Sequence, residues 1–373
     1  MLGGLDLSCG GTGTIRKTSS KRCGNSLAIT VALGGTDAVA MRKEVLEIGT
    51  SRIDVAYEFV NETDVRVSLP MVFPLPDYGG LTEPDDDFRG GQPANFSLLI
   101  DGLASPFANH VSARFKADDS TALVDVTAVL RETGLDDAQI ALLPAAFKIS
   151  GRDISAFDPA QSRQASAVTR GQVDALRARG VLREDPHLRE SDTLSYPAWR
   201  VRIVYAWTLT FPPGKIVSVR HSYAPFLGSG ITQSWIPDDR AFSAKALRDE
   251  FCASPGLIHR LERSAPRDAA PLWGGTVSYI LKTANTWRGP IRDFTLRLRK
   301  SSLEESISLC FPGQFEKVDA LTLEAKIADF APAADLRIRF LATGSQGALL
   351  PDADPDAALF GGAAPQGLRT SSD

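Results

Sequence analysis

The chain has 373 residues, 43% of them hydrophobic, with 45 acidic and 41 basic side chains and a formal net charge of −4 at pH 7. That is room for two or three domains of about 100–200 residues with real cores, so global disorder is excluded. Basic and acidic residues are interspersed, which argues against a nucleic-acid partner, and no stretch approaches the roughly 18–20 apolar residues of a transmembrane segment.

Residues 1–33 read as a poorly ordered amino-terminal segment. Arg16, Lys17, Lys21 and Arg22 precede a short apolar run from Leu27 to Leu33, and Ala38-Val39-Ala40 resembles a cleavage site. That is the order of parts in a signal peptide. Thr30 interrupts the run, however, and Gly34-Gly35-Thr36-Asp37 intrudes before the small residues. Gly10-Gly11-Thr12-Gly13-Thr14 has only the composition of a phosphate loop, since no Lys-Ser/Thr pair follows it. No cofactor is expected.

From residue 41 to 76 the chain alternates. Ile53, Val55, Tyr57 and Phe59 share one face; Arg52, Asp54, Ala56 and Glu58 share the other. Asn61-Glu62-Thr63-Asp64 supplies a turn. Val65, Val67, Leu69, Met71, Phe73 and Leu75 resume the apolar face, with Pro70, Pro74 and Pro76 on the opposite parity. Proline has no N–H for a ladder, so this strand belongs at a sheet edge or leaves the sheet. Residues 77–93 are a loop rich in Gly, Pro and Asp. Binding residues gather on loops held by rigid sheet, so Asp77, Tyr78, Asp85, Asp86 and Asp87 are candidate contacts. Glu83 with the three aspartates could hold a divalent ion at a loop tip, but a solvated charged loop is the better reading, and no metal site is assigned. Phe96–Ile100 and Val111–Phe115 suggest a hairpin turning near Asp101-Gly102.

Residues 118–192 read as a helical insertion. Leu123, Val126, Val129 and Leu130 have helical spacing ending at Gly134, and Val173, Leu176 and Val181 mark a second helix around Gly171–Arg179. Trp199, Val201, Ile203, Tyr205, Trp207, Leu209 and Phe211 then alternate strictly, Pro212-Pro213-Gly214 stops the strand, and Ile216–Tyr223 runs back as the second arm of a hairpin. Trp199, Tyr205, Trp207, Phe211 and Tyr223 could form a sugar- or peptide-binding platform, but aromatic residues at period two usually build a sandwich core. His221 shares parity with Val217, Val219 and Tyr223. It is either a catalytic or pH-sensitive group, with Tyr223 beside it, or a core histidine. His110, His187 and His259 lack motif context, and there is no G-x-S-x-G.

Ser243–Glu250 and Pro255–Arg263 read as two short helices. Strands return at Thr276–Thr283, Ile291–Arg299, Glu305–Phe311, Ala320–Ala328 and Asp335–Leu341. Strands recurring roughly every 8–12 residues suggest a sandwich. Residues 343–373 read as a disordered tail, where Asp352, Asp354 and Asp356 mimic a calcium loop but Ala357 and Ala363 replace the required Gly and Glu. Cys9, Cys23, Cys252 and Cys310 form no C-x-x-C motif. Cys252 and Cys310 lie in ordered patterns. They are either two buried thiols or a disulfide closing a loop worth roughly 4 kcal/mol of denatured-state entropy, and spacing leaves both open.

The expected fold is mainly β: an antiparallel β-sandwich domain over 34–242 with the helical insertion at about 118–192, then two short helices and a smaller second β-sheet domain over 243–342.

Several segments are shared with a known family. They are Ala38-Val-Ala-Met-Arg-Lys-Glu-Val-Leu-Glu-Ile, Ile53-Asp-Val-Ala-Tyr-Glu-Phe-Val-Asn61, Val72-Phe-Pro-Leu-Pro-Asp77, Asn95-Phe96 and Asp101-Gly102. Later come Trp207 through Phe211-Pro, His221-Ser-Tyr-Ala-Pro225 with Gly228, Phe251-Cys252, Tyr279-Ile-Leu-Lys-Thr283 and Trp287-Arg-Gly-Pro-Ile-Arg-Asp-Phe294. In order and spacing these resemble the bacterial domain of unknown function 4424 family over about residues 34–342. The resemblance implies an exported, mostly periplasmic protein of unassigned function, favours pairing of Cys252 with Cys310, and carries over no catalytic residue. The functional expectation is a non-enzymatic extracytoplasmic binding or assembly module whose partner is an envelope protein or a glycan. The alternative is a hydrolase or glycan-acting enzyme using His221, Tyr223 and loop carboxylates such as Asp77 or Asp238.

Overall fold

The computed structural model describes residues 36–79, 96–116, 122–150, 153–156, 167–184, 194–225, 227–228, 240–264 and 274–341. The expected amino-terminal segment and carboxy-terminal tail, with Cys9, Cys23 and the Asp352 motif, lie outside these residues. The mainly β class holds. Among the described residues no helix is long and apolar enough to cross a membrane.

The largest sheet has eight strands. Across it run Glu316–Lys317, Thr322–Phe330, Ile291–Arg299, Val39–Ile48, Ile53–Asn61, Ile216–Tyr223, Ser97–Ile100 and Leu103–Ala104. Val39–Ile48 and Ile291–Arg299 pair in parallel, with Glu44, Leu46 and Ile48 beside Phe294, Leu296 and Leu298. All of these but Glu44 are apolar and fully buried, so the pairing extends one greasy face and covers what would otherwise be an open strand edge. The strands after residue 243 therefore divide. Ile291–Arg299 and Thr322–Phe330 enlarge the eight-stranded sheet. Gly274–Tyr279, Ser306–Ser308 and Leu336–Leu341 join Leu227–Gly228 in a small four-stranded sheet.

A second four-stranded sheet runs in the order Val67–Pro74, Trp199–Phe211, Ala108–Lys116, Leu123–Asp125 and packs its aromatic side onto the large sheet. Ring centroids of Phe96 and Tyr205 are 3.8 Å apart, and those of Phe59 and Phe211 are 5.8 Å apart. The expected hairpin at Pro212-Pro213-Gly214 is thus corrected. Trp199–Phe211 pairs with Val67–Pro74 and Ala108–Lys116, whereas Ile216–Tyr223 pairs with Ile53–Asn61 and Ser97–Ile100. The turn carries the chain from one layer to the other. Two prolines in succession cannot donate the cross-strand bonds that close a hairpin, and crossing lets two apolar faces meet rather than lie side by side. The expected hairpin between Phe96–Ile100 and Val111–Phe115 is corrected likewise, because its arms lie in different sheets and Ser97–Ile100 pairs with Leu103–Ala104. Faces and edges behave as the alternation predicts. Trp199, Val201, Ile203, Tyr205, Leu209 and Phe211 are buried, Trp207 is half-buried and Arg202 is exposed. The strand bearing Pro70 and Pro74 is an edge strand.

Among the described residues of 118–192 the helices are Thr127–Glu132, Asp137–Ala146 and Arg170–Ala178; Phe147–Ser150, Asp153–Ala156 and Leu182–Glu184 form a small sheet with Leu194–Pro197 just beyond. Leu123–Asp125 is a strand rather than the start of a helix. The third helix opens on a reciprocal cap: the Gln172 N–H donates to Thr169 Oγ1 at 3.2 Å and the Thr169 N–H to Gln172 Oε1 at 2.8 Å. Helices Arg240–Phe251 and Pro255–Ser264 lie against the small four-stranded sheet, where Ser308 Oγ donates to the Phe251 carbonyl at 2.9 Å. Cys252 and Cys310 form a disulfide, their Cα atoms 5.0 Å apart.

Candidate functional site

Two polar arrangements stand out, one inside the sandwich and one on its surface. The interior one begins with a bulge. In Val39–Ile48 the register slips between Met41 and Lys43, so Met41 lies opposite Phe59 while Lys43 lies opposite Glu58. A bulge re-aims the side chains that follow it. Val39 and Met41 face inward before it, and Glu44, Leu46 and Ile48 face inward after it. Arg42 and Lys43 stay outside, 3.5 Å from Glu58 and 3.6 Å from Asp293 respectively.

Glu44 consequently sits in the core at 1% exposure, opposite Tyr57. Its Oε2 has no hydrogen-bond partner among the described residues. Burial pushes its pKa up to about 8, because a carboxylate in an apolar surround loses its hydration. The Tyr57 and Tyr279 hydroxyls lie 3.1 Å apart and link the large sheet to the small one. Burial holds both phenols well above their ordinary pKa, and the neighbouring Glu44 raises both further.

His221 lies on the same inward face, two positions along from the Tyr57 pairing. Its ring centroid is 4.2 Å from Phe73, 5.5 Å from Tyr57 and 5.6 Å from Phe96. It is 3% exposed, and neither ring nitrogen has a partner among the described residues. Burial lowers its pKa to about 3, which keeps the imidazole neutral at physiological pH. Tyr223 is buried beside it, and burial raises that phenol too.

The surface arrangement centres on Asp77. Past Pro74 the chain stays pinned to the Trp199 strand: Leu75 N–H donates to Ile203 O at 2.9 Å, and Tyr78 exchanges backbone bonds with Val201. This holds Asp77 over the outward side chains of two neighbouring strands. Arg202 Nε donates to Asp77 Oδ1 at 2.8 Å and its Nη2 to Oδ2 at 3.2 Å. Arg114 Nη2 also donates to Oδ2, and Arg200 Nη2 reaches the Asp77 carbonyl at 3.4 Å. Arg114 and Arg200 are register partners. Burial lowers the Arg114 pKa, and Arg202 beside it lowers it further while Asp125 opposes the shift. Two guanidinium groups thus converge on one carboxylate, whose two oxygens both accept charge-assisted bonds, while a third reaches the backbone carbonyl of the same residue.

Of the residues singled out in the sequence, His221 and Tyr223 point inward from the eight-stranded sheet, and Asp77 lies on the outward side of the sheet that faces it. Tyr78 is buried, and its hydroxyl donates to Ala141 O at 2.8 Å. Gly79, at φ +83°, lies so close to Pro144 that an added Cβ would be 2.5 Å from the proline Cβ. Glu83, Asp85, Asp86, Asp87 and Asp238 lie outside the described residues. Among the described residues no three His, Cys, Asp or Glu side chains are placed to share a metal ion. Sequence reasoning missed Glu44, because strict alternation does not contain a bulge. It also missed Arg114, which meets Asp77 only through the pairing of separate segments.

The chain belongs to the domain of unknown function DUF4424 family, whose sequence profile matches residues 23–339. No curated protein matches it. Among solved structures it is similar to a Legionella pneumophila protein assigned provisionally to nutrient binding, with a TM-score of 0.41, 12% identity, and coverage of 83% of this chain and 68% of that one. It is also similar to an M1 zinc metallopeptidase from Deinococcus radiodurans, with a TM-score of 0.24, 10% identity, and coverage of 82% of this chain and 42% of that one. This chain therefore spans less than half the metallopeptidase's length, and both scores lie below the level at which two chains share a fold.

Proposed function

We propose that this chain is a non-enzymatic binding or assembly module of the extracytoplasmic space, acting on an envelope protein or a glycan, with its contact face at the Asp77 end of the four-stranded sheet. The observation that carries this reading is how its reactive groups are placed. An acid or base catalyst must come within hydrogen-bond reach of the proton it moves, and His221 is enclosed by Phe73, Phe96 and Tyr57. The charged groups at Asp77 are instead tied together by charge-assisted hydrogen bonds and partly exposed, which suits recognition. The Cys252–Cys310 disulfide supports the compartment: both half-cystines are exposed, and reducing cytosol keeps such thiols free.

The test is crosslinking coupled to mass spectrometry in native envelopes, comparing wild type with an Arg114→Ser/Arg202→Ser variant. A partner crosslinked near Asp77 by wild type and lost in the variant is the expected result. Identical crosslinks in both would place the contact face elsewhere. Turnover of a hydrolase or glycosidase substrate by the purified protein, abolished by His221→Ala, would replace the binding reading with the enzymatic one.

A further inference from the structure

Three sheets meet at the interior polar cluster. Glu44, Tyr57 and His221 come from the eight-stranded sheet and Phe73 from the facing sheet. Tyr279, from the small sheet, lies 6.2 Å from Phe73 between ring centroids. Unpaired buried polar atoms are rare in folded proteins and each calls for an explanation. Here one carboxyl oxygen and two imidazole nitrogens are unpaired, on two side chains that both neighbour Tyr57.

The groups facing this cluster are all neutral or apolar. Met41 and Leu46 flank Glu44 on its own strand, and Phe294 stands beside it on the next. The titratable groups facing it are Tyr57, Tyr223 and Tyr279, with Tyr205 from the opposite layer. The nearby cations face away: Arg42 pairs with Glu58, Lys43 with Asp293 and Arg297 with Glu324, and Arg220 is exposed. Among the described residues no cation is therefore placed to offset a charge on Glu44, and no carboxylate is hydrogen-bonded to His221. A charge on either group would therefore have no partner within the cluster.

We propose that Glu44, His221 and the Tyr57–Tyr279 pair form a pH-sensitive latch that holds the small sheet against the sandwich while Glu44 is protonated and His221 is neutral. The two groups bound it from opposite sides. Glu44 has a raised folded-state pKa, so its contribution is complete below the free carboxyl value and is lost as pH rises through about 8. His221 has a depressed one, so its contribution is complete above the free imidazole value and is lost as pH falls through about 3. A charge on either is met by no counter-charge, and separating the layers to admit water relieves it. The Tyr57–Tyr279 bond spans the joint that opens.

The test is a pH titration of the full chain, read by near-ultraviolet circular dichroism for the packed tyrosines and by far-ultraviolet dichroism for the strands. Wild type should lose the tyrosine signal as pH rises through about 8 while keeping its strand signal. Glu44→Gln, a neutral isostere, should move that midpoint up by at least about one pH unit. Glu305 is the other described carboxyl with a raised pKa, so Glu305→Gln is the control and should leave the midpoint in place. Infrared spectroscopy of wild type at neutral pH should show a protonated buried carboxyl that Glu44→Gln removes, and this reading holds even if the variant packs poorly at high pH. Equal midpoints in wild type and Glu44→Gln would overturn the latch. So would a neutral-pH infrared spectrum in which Glu44→Gln removes no protonated carboxyl.

Discussion

The indole Nε1 of Trp199 donates to the carbonyl oxygen of Ile140 at 2.9 Å, and that oxygen lacks its helical partner because Pro144, four residues on, has no N–H. A proline inside a helix normally leaves an unsatisfied acceptor. Here the acceptor is used to seat the Asp137–Ala146 helix on the largest fully buried side chain of the Trp199 strand. Tyr78 adds a second bond to the next carbonyl, of Ala141.

Trp199→Phe should therefore cost about 1–3 kcal/mol from the unpaired carbonyl alone. In a Pro144→Ala background the restored N–H satisfies Ile140, and the same substitution should cost about 1 kcal/mol less. Urea midpoints for the four proteins of this cycle check it. Equal costs in both backgrounds would dissociate the proline from the indole bond.

The register of the Trp199 strand makes a second prediction. Ile203 is fully buried and Thr208 is exposed on the opposite face. Ile203→Asp should destabilise by about 3–5 kcal/mol, since it places an unpaired charge in the core, whereas Thr208→Asp should stay within about 0.5 kcal/mol. Thermal midpoints of the two variants measure the difference directly.

Much of this was legible in the sequence, and the missing part has a physical reason. Alternation correctly assigned the two faces of Trp199–Phe211, and Pro70 and Pro74 correctly placed their strand at an edge. Alternation says which residues share a face, but not whether the next strand lies beside or opposite. Pro212-Pro213 therefore reads as a hairpin turn in the sequence, whereas it joins two layers. Glu44 was hidden because one extra residue at Arg42 reverses the parity, and the Asp77 cluster because its arginines come from strands far apart in sequence. The Asp137–Ala146 helix was also missed: Pro144 breaks the ordinary helical signature that the Trp199 bond then offsets.

The helix ending at Phe251 leads to a third prediction. Cys252 has φ +52°, a left-handed position that glycine usually fills, and its N–H bonds to Arg248 O at 3.0 Å. Cys252→Ala and Cys310→Ala should each remove up to about 4 kcal/mol by opening the crosslinked loop. Cys252→Gly should recover about 1 kcal/mol relative to Cys252→Ala, because glycine adopts this conformation without steric cost. Denaturant unfolding of the three variants separates crosslink from backbone.

At Asp77 the loss should depend on how many bonds each substitution breaks. Asp77→Ala strips both arginines of their acceptor and should cost about 1.5–3 kcal/mol. Arg202→Ala, at a more exposed site, should cost less than about 1 kcal/mol. Arg114→Ala should fall between them. If Arg202→Ala proves the most damaging of the three, the carboxylate is not the centre of the arrangement.

His221 lies in the packed interior, 3% exposed, and the proposed binding role depends on solvent not reaching it. The decisive measurement is an NMR pH titration of its ring, assigned by its disappearance in His221→Phe. The ring should remain neutral as pH is lowered from neutrality, with protonation only as pH approaches about 3 and accompanied by loss of native dispersion. A reversible titration near the ordinary imidazole value of about 6.5, with the fold intact, would mean that solvent reaches His221, and would reopen the catalytic reading.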